Sequence, residues 1–192
     1  MDDACFVCHG CYALVKNDVL YRDREAEKSH YLEHNNDVHD PGYQKFTLPI
    51  LDYVLTHFKP HHEGLDFGSG TGPVISRMLH DKGYHIQQYD PYFANNKTVL
   101  QAQYDYIVAC EVVEHFYNPH KEFKMLRNML RPDGHLICMS LLYQPDIDFK
   151  NWYYRKDPTH VFIYQEKTIE YIARNYGFKS FEITHGRRIV WR

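Results

Sequence analysis

The segment that most restricts this chain is Leu65-Asp66-Phe67-Gly68-Ser69-Gly70-Thr71-Gly72. A short apolar run leads into three alternating glycines, and Val74, Ile75, Met78 and Leu79 then mark one side of a helix. Glycine suits such a strand-to-helix turn because a tight turn demands unusual dihedrals and a ligand must approach main chain closely. The turn predicts a nucleotide-type binding loop. The third residue after Gly70 is Pro73, so the G-x-G-x-x-G spacing of dinucleotide loops is not met.

Around this loop, short apolar runs alternate with amphipathic helical patterns, the signature of βα units on a mainly parallel sheet. Asp40-Pro41 caps a helix over Gly42 to His57, with a bend expected at Pro49. Strands are expected at Gly64 to Phe67, His85 to Tyr89, Tyr104 to Cys110 and His135 to Leu142. Asn118-Pro119 starts a helix carrying Phe123, Leu126 and Leu130, and Pro132-Asp133-Gly134 reads as a turn. An irregular stretch over Tyr143 to Glu166 reads as a lid or binding loop. A helix over Thr168 to Tyr176 precedes an antiparallel hairpin, Phe181 to Thr184 and Arg188 to Trp191. Residues 1–40 lack sustained periodicity and read as an N-terminal arm, leaving 41–192 as the domain.

A chain of 192 residues suits one α/β domain with a small appendage. With 22 Lys and Arg against 25 Asp and Glu, a basic surface for nucleic acid is not evident. No run has the length of a membrane span or the pattern of a signal peptide, so a cytoplasmic protein is expected. Five cysteines, two of them in apolar strand-like runs, argue against a disulfide framework.

Asp90, ending the second strand, is placed to accept both hydroxyls of a nucleoside ribose. The G-x-G-x-G spacing fits S-adenosylmethionine (SAM), which carries no pyrophosphate, better than NAD. The next segment, Tyr104-Asp105-Tyr106-Ile107-Val108-Ala109-Cys110-Glu111-Val112-Val113-Glu114-His115-Phe116, resembles the fourth-strand region of small-molecule O-methyltransferases such as those of ubiquinone biosynthesis. With Leu65 to Gly72, Tyr89-Asp90 and Leu130-Arg131-Pro132-Asp133-Gly134, it matches the ordered motifs of class I SAM-dependent methyltransferases. The resemblance implies a Rossmann-like, doubly wound, seven-stranded and mainly parallel sheet with an antiparallel strand at the C-terminal end. By position it implies that Asp66, Gly68, Ser69, Gly70 and Gly72 cradle the methionine part, that Asp90 holds the ribose, and that Cys110, Glu111 and Val112 run beside the sulfonium. Glu114 also reads as an acidic helix start stabilised by the dipole.

Methyl transfer to oxygen needs positioning and removal of a proton, and histidine is the natural base. His160 and His115 are the candidates. Trp152, Tyr154 and Arg155 are expected to cover a flat or anionic substrate, and the resemblance implies that the arm before the first strand, with His30, Tyr31, His34, Asn35 and Asn36, forms a lid over SAM.

Glu33-His34-Asn35-Asn36, Asp40-Pro41-Gly42-Tyr43 and Asn151 to His160 extend the resemblance to a bacterial subgroup of these methyltransferases. Its members commonly begin with a two-knuckle zinc ribbon, and Cys8-His9-Gly10-Cys11 resembles the second knuckle only, as in a truncated ribbon. Cys5, Cys8 and Cys11 are therefore candidate zinc ligands needing a fourth. The expected activity is methyl transfer from SAM to a small molecule at oxygen, giving S-adenosylhomocysteine. An NAD-type oxidoreductase and a SAM-binding protein without turnover are the alternatives. The absence of an Asn/Asp-Pro-Pro-aromatic tetrapeptide after the fourth strand favours oxygen over a base nitrogen.

Overall fold

The computed structural model describes residues 4–34 and 36–192, and Asn35 lies outside them. The arm contains β1 (Cys5–Val7), β2 (Leu14–Lys16) and helix α1 (Arg24–Leu32), and α2 (Pro41–His57) follows. Asp40 caps α2 by accepting from Gly42 N–H at 2.8 Å, and the helix continues through Pro49.

Beyond them run β3 (Glu63–Phe67), α3 (Val74–His80), β4 (His85–Tyr89), β5 (Tyr104–Cys110), α4 (Pro119–Met129) and β6 (Leu130–Met139). The chain ends with α5 (Tyr153–Lys156), β7 (Phe162–Ile163), α6 (Glu166–Tyr176), β8 (Phe181–Thr184) and β9 (Arg188–Trp191). The main sheet has the order β4-β3-β5-β6-β9-β8. The first four of these strands are parallel, and β9 joins β6 and β8 antiparallel.

That makes six strands among the described residues, one fewer than expected. A parallel crossover consumes a dozen or more residues. The segment between β4 and β5, residues 90–103, suffices for the crossover past β3 and holds a 3-10 turn, Lys97–Gln101, with no length left for another strand.

Helices on both faces explain the unbroken apolar strands. Along β5, Tyr104, Ile107 and Ala109 face the core under α4 and α6, whereas Tyr106 and Val108 face that under α2 and α3. In β6, Leu136 and Cys138 alternate with Ile137 and Met139 in the same way. Each such aliphatic side chain contributes about 1.5–3 kcal/mol of burial. Pro132-Asp133-Gly134 is not a turn ahead of β6 but an interruption within it. Tyr104 pairs with Leu130 and Tyr106 with His135, so the residues between are extruded from the ladder.

The stretch expected to be irregular, Tyr143 to Glu166, holds α5 and β7. There β7 pairs antiparallel with β2, Leu14 opposite Ile163 and Val15 opposite Phe162, completing a three-stranded sheet with β1. Lys16 strengthens the join, its Nζ donating to the carbonyls of Asp157 and Pro158 at 2.8 and 2.9 Å. No helix among the described residues is long and apolar enough to cross a membrane.

Candidate active site

The C-terminal ends of β3, β4 and β5 open into a cavity of about 990 Å³. The chain runs outward from β3 to β4, then crosses back past β3 to β5 and on to β6, so the strand order reverses between β3 and β5, and such a switch point leaves a crevice for ligands. Gly68, Ser69 and Gly70 line it. Gly68 has φ of 78°, and a Cβ there would meet the Val112 methyls at 2.5 and 2.8 Å. The loop after β3 therefore lies directly against the loop after β5. Gly72 does not line the cavity; it lets the chain at Asn36 lie against the loop, since a Cβ would overlap the Asn36 carbonyl oxygen.

Asp66 also sits behind the wall rather than on it. Its carboxylate accepts from Ser76 Oγ at 2.8 Å, and burial pushes it up to about 6. Asp90 does line the cavity, with Oδ2 accepting from Gly70 N–H at 3.0 Å and Oδ1 from Tyr92 and Phe93 N–H.

Across from this cradle, Cys110, Glu111 and Val112 form the wall after β5. Glu111 takes a positive φ of 51°, a strained conformation for a side chain of its size. Burial pushes its carboxyl up to about 7. Glu114, wholly buried just behind the wall, is also pushed up to about 7, by burial and by the neighbouring Glu111. A 3-10 turn, Val113–His115, carries Glu114 inwards while His115 faces the cavity.

His160 meets His115 edge to face, with ring centroids 4.8 Å apart, so the structure brings together the two histidines singled out as bases. Tyr154 packs on His160 at 4.1 Å, and its hydroxyl donates to Glu114 Oε1. Burial pushes His160 down to about 3, the neighbouring His115 adding to the effect, so its ring is neutral.

Helix α1 covers the opposite side through Tyr31 and Glu27, with His34 beyond its end, all on the cavity wall. The Tyr31 hydroxyl donates to Glu27 Oε1 at 2.7 Å, Tyr92 donates to Glu27 Oε2, and the Tyr31 ring stands edge-on to His115 at 5.4 Å.

Three expectations are not met. Trp152 does not reach the cavity and packs on Tyr154 and Tyr143, because the turn into α5 points it away. Arg155 lies over the Phe149 ring and donates to Lys150 O, also away from the cavity. The three thiols do not assemble as a set: Cys5 is buried on β1, and only Cys8 and Cys11 meet, across the next turn. Among the described residues these cysteines form no group close enough to share a metal ion.

Sequence reasoning missed Glu27, Tyr92, Asp157 and Arg187, which also line the cavity. Tyr92 follows Asp90-Pro91 and carried a positional signal. Glu27 lies in an ordinary charged helix and carried none.

A model of a methyltransferase domain matches residues 30–183. No curated protein matches the sequence. Among solved structures, YcgJ of Bacillus subtilis is similar at 16% identity and TM-score 0.52, covering 72% of this chain and 69% of that one. Human N-acetylserotonin methyltransferase, solved with SAM, is similar at 13% identity and TM-score 0.57, covering 90% and 57%. Phosphoethanolamine N-methyltransferase 2 of Haemonchus contortus, also with SAM, is similar at 17% identity and TM-score 0.59, covering 86% and 44%. The chain thus spans less than two thirds of the latter two. With the fold, the glycine loop and the motif order in agreement, the chain belongs to the methyltransferase-domain family and is a class I methyltransferase.

Proposed function

We propose that the chain moves a methyl group from SAM to a hydroxyl oxygen of a small molecule, giving S-adenosylhomocysteine. The observation that carries this reading is the meeting of two half-sites in one cavity, Gly68, Gly70 and Asp90 on one wall and His115 and His160 on the other. SAM, when bound, supplies a methyl on a sulfonium that keeps the electron pair as the methyl leaves.

Gly68 and Gly70 leave room for the amino-acid end, and Asp90 retains acceptor capacity for the ribose hydroxyls. Ser69 Oγ is buried on this wall with no hydrogen-bond partner among the described residues, a polar atom that a ligand would satisfy. Cys110, Glu111 and Val112 flank the reacting centre, Tyr31 and His34 close it from the arm, and Tyr153 and Tyr154 bound the acceptor's side. His115 and His160 receive the acceptor's oxygen. The concave shape of the cavity and the near-neutral charge favour a small acceptor over nucleic acid.

Calorimetric titration with S-adenosylhomocysteine and with NAD tests the cofactor. Binding of the former alone is expected, and binding of NAD alone would overturn the reading. Labelled-methyl transfer to a panel of phenols, aliphatic alcohols and amines then tests the acceptor atom. Turnover confined to amines would overturn the assignment to oxygen.

A further inference from the structure

The geometry points to a binding site for a divalent first-row transition cation, held by Glu114, His115 and His160. One ligand atom from each, a carboxylate oxygen and two ring nitrogens, lies within 4.8 Å of the others, and this is the one such group among the described residues.

The contacts behind these side chains determine what they present. His115 Nδ1 lies 3.0 Å from the Thr159 carbonyl oxygen and His160 Nδ1 lies 2.7 Å from the Tyr154 carbonyl oxygen. A carbonyl only accepts, so each Nδ1 carries a proton, and in the neutral ring the lone pair is left on Nε2. Metal-binding histidines are oriented in this way, by a backbone carbonyl on the far nitrogen. Glu114 Oε1 accepts from the Tyr154 hydroxyl, which accepts in turn from Leu141 N–H at 3.2 Å and lies 2.9 Å from Ser140 Oγ.

Glu114 Oε2 is left with no partner although the residue is 0% exposed. An uncompensated buried carboxylate oxygen is costly, and a cation is the partner that two nearby lone pairs would share with it. Glu111 Oε1 is likewise buried and unpartnered, which offers a further oxygen from the cavity side. The Asp157 carboxylate, 4.0 Å from His160 Nε2, adds negative charge nearby.

Two imidazoles with carboxylate oxygen suit manganese, iron, cobalt or zinc better than magnesium or calcium, which prefer all-oxygen sets. The inference deepens the proposed function and rests on it. A cation held by Glu114, His115 and His160 would lower the pKa of a coordinated hydroxyl, and the two histidines would serve as its ligands in place of a base.

Manganese(II) titrated into chelator-treated protein, with the free ion followed by electron paramagnetic resonance, tests the site without turnover. One bound equivalent is expected. His160→Ala and Glu114→Gln should each weaken binding by about 100-fold, and Tyr154→Phe by about 10-fold through the loss of its hold on Glu114. Glu114 is buried and its variant risks misfolding, so His115→Ala, at a half-exposed position, serves as a second arm, with circular dichroism confirming the fold. No manganese binding tighter than about millimolar, or binding undiminished in both histidine variants, would overturn the inference. S-adenosylhomocysteine is titrated in parallel. Its binding without manganese binding sinks the cation site alone, and failure of both sinks the proposed function as well.

Discussion

The backbone N–H of Gly70 donates to Asp90 Oδ2 at 3.0 Å, joining the loop after β3 to the end of β4. The other carboxylate oxygen takes the N–H groups of Tyr92 and Phe93 at 2.8 and 3.0 Å. One side chain thus shapes both the glycine loop and the turn beside it. A carboxylate has about four lone-pair sites, so capacity for a ribose diol remains.

Asp90→Ala should therefore damage affinity and stability together. Loss of charge-assisted hydrogen bonds, about 1.5–3 kcal/mol, corresponds to about 10- to 150-fold weaker S-adenosylhomocysteine binding by calorimetry. The orphaned N–H groups should lower the urea midpoint in the same protein. Unchanged affinity would remove Asp90 from the cofactor site.

Gly68→Ala combines two penalties, a left-handed backbone worth about 1–2 kcal/mol and the Cβ contact with the Val112 methyls. Truncating Val112 relieves only the second. The double variant Gly68→Ala/Val112→Ala should recover part of the stability lost by Gly68→Ala alone, read as a coupling energy from four denaturation curves. Strict additivity would mean that the two loops do not touch.

Elements bounded by strong punctuation were legible at the residue level. β4, β5, β8 and β9 lie where their apolar runs and turn residues placed them. β2 and β7 were not, since each is too short to show a period and exists by pairing with a distant partner. Among the residues lining the cavity, Asp90, Gly68 and Gly70 were readable because the contacts that place them there are local. Glu114 at the start of a turn resembled a dipole-stabilising surface charge, and only the fold reveals that the 3-10 turn buries it against Tyr154. Trp152 and Arg155 were misjudged for the converse reason: composition marks an aromatic-basic cluster but not the direction in which α5 presents it.

His135 ties stability to acidity. Burial, followed by the nearby Arg192 guanidinium and the His57 ring, pushes it down to about 4 from an ordinary 6.5, and the Tyr53 hydroxyl lies 3.0 Å from its Nδ1. A folded value below the unfolded one means that neutral His135 contributes stability fully above about 6.5, lost as pH falls towards 4. His135→Gln should show a smaller loss of urea midpoint between about pH 7.5 and about pH 4.5 than the parent protein. An equal loss would place the acid sensitivity elsewhere.

Helix α1 is tied to the cavity through Glu27, which carries one bond to the body, and through His30, whose Nε2 lies 3.4 Å from Asp157 Oδ2. Glu27 accepts from Tyr31 within the helix and from Tyr92 on the body, and Arg24 adds a bond to the Pro91 carbonyl at 3.3 Å. Glu27→Ala removes the shared acceptor and leaves two half-buried hydroxyls without it, yet touches neither core cluster. A cover loosened by about 1–2 kcal/mol should speed S-adenosylhomocysteine release by about 5- to 30-fold in stopped-flow measurements. Association depends on the open cavity and should change little, as should the urea midpoint of the main transition. If release is unaltered while the midpoint falls, Glu27 serves the fold and α1 is not a lid.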